Sequence, residues 1–119
     1  MKAGYRQIMS RDLPERLQQG AILVDIRRQE EWQQTGIVAG SRLLTFYDAQ
    51  GKSDPERWLN DLNRIAPLER PLLLICRTGQ RTIDVCEFLT AVADRRQIYN
   101  VTDGIFGWLA AGLPVVPWR

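Results

Sequence analysis

The 119 residues of the chain suffice for one domain with a core of its own and leave no room for tandem copies. At 45 % apolar and 25 % charged residues the composition is that of an ordinary globular protein, neither disordered nor fibrous. A formal charge of +2, on basic residues scattered apart from the pairs Arg27-Arg28 and Arg95-Arg96, lacks the concentrated stripe of a nucleic-acid binder, and no run approaches the roughly 20 apolar residues of a membrane span.

Helical and strand patterns alternate along the chain. Residues 1–10 hold Lys2 and Arg6 but no apolar stretch of signal-peptide type, so the cytoplasm is the expected location. Ser10 or Asp12 is placed to cap a short helix carrying Leu13 and Leu17, which Gly20 ends. "AILVDI", 21–26, reads as a strand apolar on both faces, as buried parallel strands are. A brief helix over 29–35 stops at Gly36, and 42–45 form the next strand. In "DPERWLNDLNRI" Asp54 is the N-cap, Pro55 takes the first helical position, and Trp58, Leu59, Leu62 and Ile65 share one face. "PLLLI", 71–75, is a second fully buried strand. A helix over 81–93 carries Val85, Cys86, Leu89 and Val92 at core spacing. A strand follows over 97–101, then a last helix over 105–111, closed by Gly112 with Pro114 beyond. Such alternation implies a single α/β domain, its central sheet mainly parallel and flanked by helices on both faces.

In these sheets ligands bind where loops leave the carboxyl ends of the strands. The segment after Ile75 is "CRTGQRT", and Cys76 stands first in it. Gly79 permits torsions other residues resist, and the helix opening near Arg81 turns its unpaired N–H groups and positive dipole end toward the loop. A sulfur anion is stabilised there, more so beside guanidinium groups. Core packing gives no reason for Arg77, Thr78, Gly79, Gln80, Arg81 and Thr82 to follow a cysteine at once. Cys86, on the apolar face of its helix, reads as a small core residue.

The chain contains no histidine. That removes His-based metal sites, Ser-His and Cys-His nucleophile pairs and imidazole bases together. Two cysteines alone make a poor zinc site, and no Gly-x-Gly-x-x-Gly fingerprint is present, so no metal and no cofactor is expected. Spacing separates two thiol chemistries. A Cys-x5-Arg phosphatase loop wraps the oxygens of a phosphate, whereas here Thr82 stands six places after Cys76, the arginine falls at Arg81, and Ile75 occupies the place of the usual histidine. The shorter loop suits one transferred sulfur atom.

Three segments in this order resemble the rhodanese-like domain, the fold of sulfurtransferases that certain cell-cycle phosphatases share. "LVDIRRQEEW" is similar to the family's Asp-x-Arg-x-x-x-Glu-aromatic segment at Asp25, Arg27, Glu31 and Trp32. "CRTGQRT" resembles the sulfurtransferase loop at Cys76, Arg77, Gly79, Arg81 and Thr82, and "DGIFGWLAAGLPV" the C-terminal signature at Gly104, Trp108, Gly112 and Pro114. The resemblance spans about residues 22–115. Two departures stand out. Gly36-Ile37-Val38-Ala39-Gly40-Ser41 replaces a Gly-His-Ile-Pro-Gly-Ala stretch, and Asp103-Gly104 replaces a Gly-Gly pair, Asp being tolerant of unusual torsions.

The resemblance implies sulfur transfer through a Cys76 persulfide, from a small anionic donor such as thiosulfate to cyanide or a thiol, including a protein thiol. Backbone N–H groups of Arg77 through Thr82 are then expected to hold the anionic sulfur, with Thr82 capping the helix and fixing the loop. Arg77 and Arg81 either draw in the anionic donor or serve as solvated cations or carboxylate partners. Asp25 either shapes the charge of the loop or fixes a turn through backbone N–H groups. Arg27, Glu31 and Trp32 read as architecture, an ion pair and a core contact, while Trp118 fits a dimer surface, a crystal contact or a tail folded back. The alternative from another class is a protein-interaction or regulatory module whose cysteine is incidental; phosphatase or arsenate reductase chemistry is disfavoured by loop length.

Overall fold

Five short strands and five helices alternate in the computed structural model, which describes residues 4–119. Lys2 lies outside them. The strands are β1 (Arg6–Ile8), β2 (Ile22–Asp25), β3 (Arg42–Leu43), β4 (Leu72–Ile75) and β5 (Ile98–Val101); the helices are α1 (Leu13–Gln18), α2 (Gln29–Thr35), α3 (Pro55–Ile65), α4 (Arg81–Val92) and α5 (Gly104–Ala110). All pair in parallel, in the order β1-β5-β4-β2-β3. No helix among the described residues is long and apolar enough to cross a membrane.

The two-residue period of a strand divides the core in two. Ile22, Val24, Leu72, Leu74 and Cys76 face Trp58 and Leu62 of α3 and Val85, Cys86 and Leu89 of α4. Leu23, Leu73, Ile75, Tyr99 and Val101 face Leu13 of α1 and Ile105 and Trp108 of α5. Both faces being covered, β2, β4 and β5 are buried at every position, hence the near-continuous apolar runs. Each large aliphatic side chain so buried contributes about 1.5–3 kcal/mol.

The chain leaves β2 toward one edge of the sheet and leaves β4 toward the other. The reversal lies between these two strands, whose carboxyl ends are level, Asp25 beside Ile75, with the Ile26 N–H donating to the Ile75 carbonyl at 3.1 Å. A crevice opens at such a point, and Cys76 is the next residue on its rim.

Differences from the sequence reading lie at element ends. β1 was not foreseen, because an edge strand of three residues with only Ile8 buried carries too short a pattern to read. Neither Ser10 nor Asp12 caps α1 with its side chain: Ser10–Asp12 form a 3-10 turn, and the buried Ser10 hydroxyl donates instead to the Gly104 carbonyl at 2.7 Å. Strand pairing expected through residue 45 ends at Leu43, although the Leu44 and Phe46 N–H groups still reach the carbonyls of Asp25 and Ile26. The Asp54 cap is present, its carboxylate accepting the Arg57 N–H at 3.3 Å. Past α5 the tail folds back, Val116 pairing antiparallel with Ile37 and Trp118 standing edge-on to Trp32 at 5.5 Å.

Candidate active site

Cys76 follows β4 directly with only 1 % of its surface exposed, so its sulfur forms the floor of the loop. Residues 77–80 turn above it and α4 begins at Arg81, its positive end directed at the sulfur's side of the loop. Gly79 makes the turn at φ +87°, and its N–H donates to Cys76 Sγ at 3.2 Å. A Cβ on Gly79 would fall onto the Thr102 carbonyl, so backbone packs against backbone where only glycine fits. Gly104 is the second such position: at φ +60°, its missing Cβ makes room for the Arg77 carbonyl. The first turn of α5 thereby closes on the loop, the Ile105 N–H donating to the Cys76 carbonyl at 2.9 Å and the Phe106 N–H to the Arg77 carbonyl at 3.2 Å. Asp103 needs no unusual torsion, contrary to expectation; it sits at φ −103° and its carboxylate accepts the Ser10 N–H at 2.9 Å.

Of the loop amides expected to surround the sulfur, the Gly79 N–H is the one within hydrogen-bonding reach. Thr82 does not cap α4. It lies inside the first turn, fully buried, its Oγ1 3.5 Å from Cys76 Sγ and hydrogen-bonded to Asn100 Oδ1. Thr78 and Gln80 are exposed on the rim, beside Arg77. The two arginines divide. Arg77 stands over the Phe106 ring, its guanidinium carbon 5.0 Å from the ring centroid, with no carboxylate partner among the described residues. Arg81 is bound through both terminal nitrogens to Glu31, at 2.8 and 2.6 Å.

Glu31 is the third residue of α2, and the same carboxylate also accepts the Arg28 N–H at 3.2 Å, satisfying a donor of the helix end. Burial pushes the Glu31 carboxyl up; the hydrogen bonds from Arg81 and the Arg28 backbone, with the charges of Arg81 and Arg27, outweigh it and leave the carboxyl below its ordinary range. The hydrogen bond to Glu31 raises Arg81 in turn, against the opposing effect of burial. A shallow cleft of about 360 Å³ opens over the loop between Arg28, Glu31, Arg77, Thr78, Gln80 and Arg81.

Asp25 makes no hydrogen bond to the loop, although its negative charge is among those that raise Arg81. Its carboxylate is engaged by Arg27, with Nε 3.0 Å from Oδ1, Nη2 2.9 Å from Oδ2 and the backbone N–H 3.1 Å from Oδ1. Arg27 is fully buried, its other donors reaching Thr35 Oγ1 and the Gly36 carbonyl, so the pair ties the end of β2 to α2. The ion pair expected around Arg27 and Glu31 is thus two pairs, Asp25–Arg27 and Glu31–Arg81. Burial, followed by the charges of Cys76 and Glu87, pushes the Cys86 thiol up to about 12, leaving a neutral core sulfur. Among the described residues no cluster of three or more Cys, Asp or Glu could hold a metal ion.

The sequence reading passed over Asn100. The signal was present, an amide between apolar neighbours in a buried strand, where each polar atom needs a partner.

A loop of this build, opened by a cysteine at the switch point of a five-stranded parallel sheet, defines a class of α/β domains in which one sulfur is presented at a helix N-terminus. The chain belongs to the rhodanese-like domain family, whose model matches residues 9–111. It is 30 % identical over 94 residues to the uncharacterized protein RP600 of Rickettsia prowazekii, covering 76 % of this chain and 74 % of that one. The crystal structure of Rv0390 from M. tuberculosis superposes with a TM-score of 0.76 at 26 % identity, over 98 % of both chains. A thiosulfate sulfurtransferase from Pseudomonas aeruginosa has the same fold at 18 % identity and a TM-score of 0.77, over 97 % of this chain and 21 % of that one.

Proposed function

We propose that the protein is a sulfurtransferase that carries a sulfane sulfur on Cys76, from a donor such as thiosulfate to cyanide or a thiol. The observation that carries this reading is the Gly79 N–H donating to Cys76 Sγ at the foot of α4, a backbone donor aimed at sulfur. Family membership supports it, as does the fold shared with the thiosulfate sulfurtransferase of P. aeruginosa.

The Cys76 thiolate attacks the outer sulfur of thiosulfate. An S–S bond forms on Cys76 as the donor's own S–S bond breaks, and the electron pair leaves with sulfite. In the second half the acceptor attacks the outer sulfur of the persulfide, and the pair returns to the Cys76 sulfur. No net redox reagent is needed, and ping-pong kinetics follow. Negative charge stays on sulfur throughout, where the Gly79 N–H and the α4 terminus act as an oxyanion hole does on oxygen. Arg77, which pairs with no carboxylate among the described residues, is the cation available to draw an anionic donor to the cleft; Arg81 is already neutralised by Glu31. The acceptor is recognised outside the loop, and a protein thiol is the acceptor class that the open cleft admits. Intact mass measured after incubation with thiosulfate tests the reading: a gain of one sulfur atom, absent in Cys76→Ser and removed by cyanide, is expected. A wild-type mass that never changes overturns it.

A further inference from the structure

Asn100 is 1 % exposed, and its whole amide is engaged. Nδ2 donates to the Gly79 carbonyl at 3.2 Å and to Gln7 Oε1 at 3.0 Å. A backbone carbonyl can only accept, so the amide is oriented with its nitrogen toward Gly79 and its oxygen toward Thr82. That oxygen can also only accept, so the contact between Thr82 Oγ1 and Asn100 Oδ1 is made with the hydroxyl proton. A hydroxyl has one proton to give. With it committed to Asn100, Thr82 turns lone pairs toward Cys76 Sγ, 3.5 Å away. The contact is then satisfied by the thiol, in a chain that runs from Cys76 S–H to Thr82 O–H to Asn100 Oδ1. A sulfur anion reverses the demand, because it needs a donor where Thr82 presents an acceptor.

We propose that Asn100 is a positioning residue that holds the Thr82 hydroxyl proton away from Cys76, so that the resting cysteine is a hydrogen-bonded thiol and the hydroxyl turns onto the sulfur only when that sulfur becomes anionic. In that step the thiol proton passes to water and no electrons move. The hydroxyl rotates about its C–O bond, gives up its bond to Asn100 Oδ1 and donates to sulfur. Because Asn100 Nδ2 also grips the Gly79 carbonyl, one amide governs two contacts of the sulfur: the Gly79 N–H through the loop backbone and the Thr82 O–H directly. The inference takes Cys76 as the reactive sulfur of the proposed function, but its test does not depend on turnover.

Infrared spectra of the resting protein report S–H stretching, and the Cys76 band is identified by its loss in Cys76→Ser. In the wild type this band should lie at the lower frequency of a donating S–H. It should rise toward that of an unbonded thiol in Thr82→Val, which has no hydroxyl, and in Asn100→Leu, where the freed hydroxyl turns onto sulfur. Thr82→Ser should restore the wild-type position. Alkylation of Cys76 by iodoacetamide at neutral pH should quicken about tenfold in Asn100→Leu, as a hydroxyl donating to a charged sulfur warrants, and should lose that gain in a Thr82→Val background, where Asn100→Leu acts through the Gly79 contact alone. A wild-type Cys76 band at the unbonded frequency overturns the proposal without any Asn100 variant, should that variant fail to fold. So does an Asn100→Leu effect of equal size with and without the Thr82 hydroxyl, which would mark a purely structural role. Bands that behave as stated in a protein that takes no sulfur from thiosulfate would refute the function and leave the positioning intact.

Discussion

Arg81 and Glu31 meet across the mouth of the loop as a two-pronged ion pair, their nitrogen and oxygen atoms 2.8 and 2.6 Å apart. The arginine the sequence offers as an anion lure is therefore tethered to α2 and its charge is balanced. Glu31→Gln keeps an acceptor for Arg81 and for the Arg28 N–H while removing the balancing charge. KM for thiosulfate should fall several-fold in the variant, with kcat changed less. An unaltered KM in a folded variant would place Arg81 out of reach of the donor.

The same pair sets an acid limit. The folded Glu31 carboxyl lies below its ordinary value of 4.5, so the unfolded chain binds the proton more readily. The stability this gives is fully present above the unfolded value and is lost as the pH falls through the lowered folded one. Thermal melts of wild type and Glu31→Gln between about pH 7 and about pH 3 should therefore converge at the acid end. A gap that stays constant would show that the charge on Glu31 contributes nothing.

The two thiols differ by environment. Cys86 stays protonated through the neutral range, being pushed up to about 12, and packs among Val85 and Leu89. Cys76→Ser should abolish sulfur transfer and Cys86→Ser should leave most of it. Under native conditions one carboxymethyl group should add, and a second only in denaturant. Equal loss of activity in two folded variants would point to a dithiol mechanism instead.

The sheet and the loop were legible because both rest on local patterns. Runs such as 72–75 mark strands covered on two faces, and a cysteine followed by a glycine turn and a helix marks the switch-point loop. What stayed hidden depends on pairing across the chain. Nothing local says that Glu31 takes Arg81, 50 residues on, or that Thr82 answers to Asn100 rather than to its own helix. The edge strand β1 is defined by its neighbour β5 and not by its own three residues. Trp118 found its place only once the tail was seen to return over α2, against Trp32.

That return is worth a measurable amount. An edge-on aromatic contact contributes about 0.5–1.5 kcal/mol beyond area burial. Trp118→Ala should lower stability by about 1–2 kcal/mol in urea titrations while leaving sulfur transfer at the wild-type level. A variant as stable as wild type would show that the tail lies loosely on the domain.

Two glycines with positive φ separate torsional strain from steric exclusion. Gly112 has φ +73° and open space around it, so Gly112→Ala carries only the torsional cost of about 1–2 kcal/mol. Gly79→Ala adds a methyl group directed onto the Thr102 carbonyl and should lose at least about 2 kcal/mol more, together with activity, since the same residue presents its N–H to the sulfur. Equal losses would mean that the loop can back away from β5.

Loop length decides what the site excludes. Transfer of a phosphoryl group needs donors to several oxygens at once. Here the Gly79 N–H is the backbone donor on Sγ, the Arg81 guanidinium is turned to Glu31, and the next position is Thr82, whose hydroxyl bonds Asn100. Aryl phosphates should therefore be turned over negligibly by the wild type. A glycine inserted between Gln80 and Arg81 restores the Cys-x5-Arg count and also draws Gly79 out of register with the sulfur, so thiosulfate turnover should collapse while inorganic phosphate begins to protect Cys76 from alkylation. Assays with thiosulfate plus cyanide and, separately, an aryl phosphate compare the two proteins. Phosphatase activity in the wild type without sulfur transfer would show that the short loop accommodates a tetrahedral group after all, and the sulfurtransferase reading would fall with it.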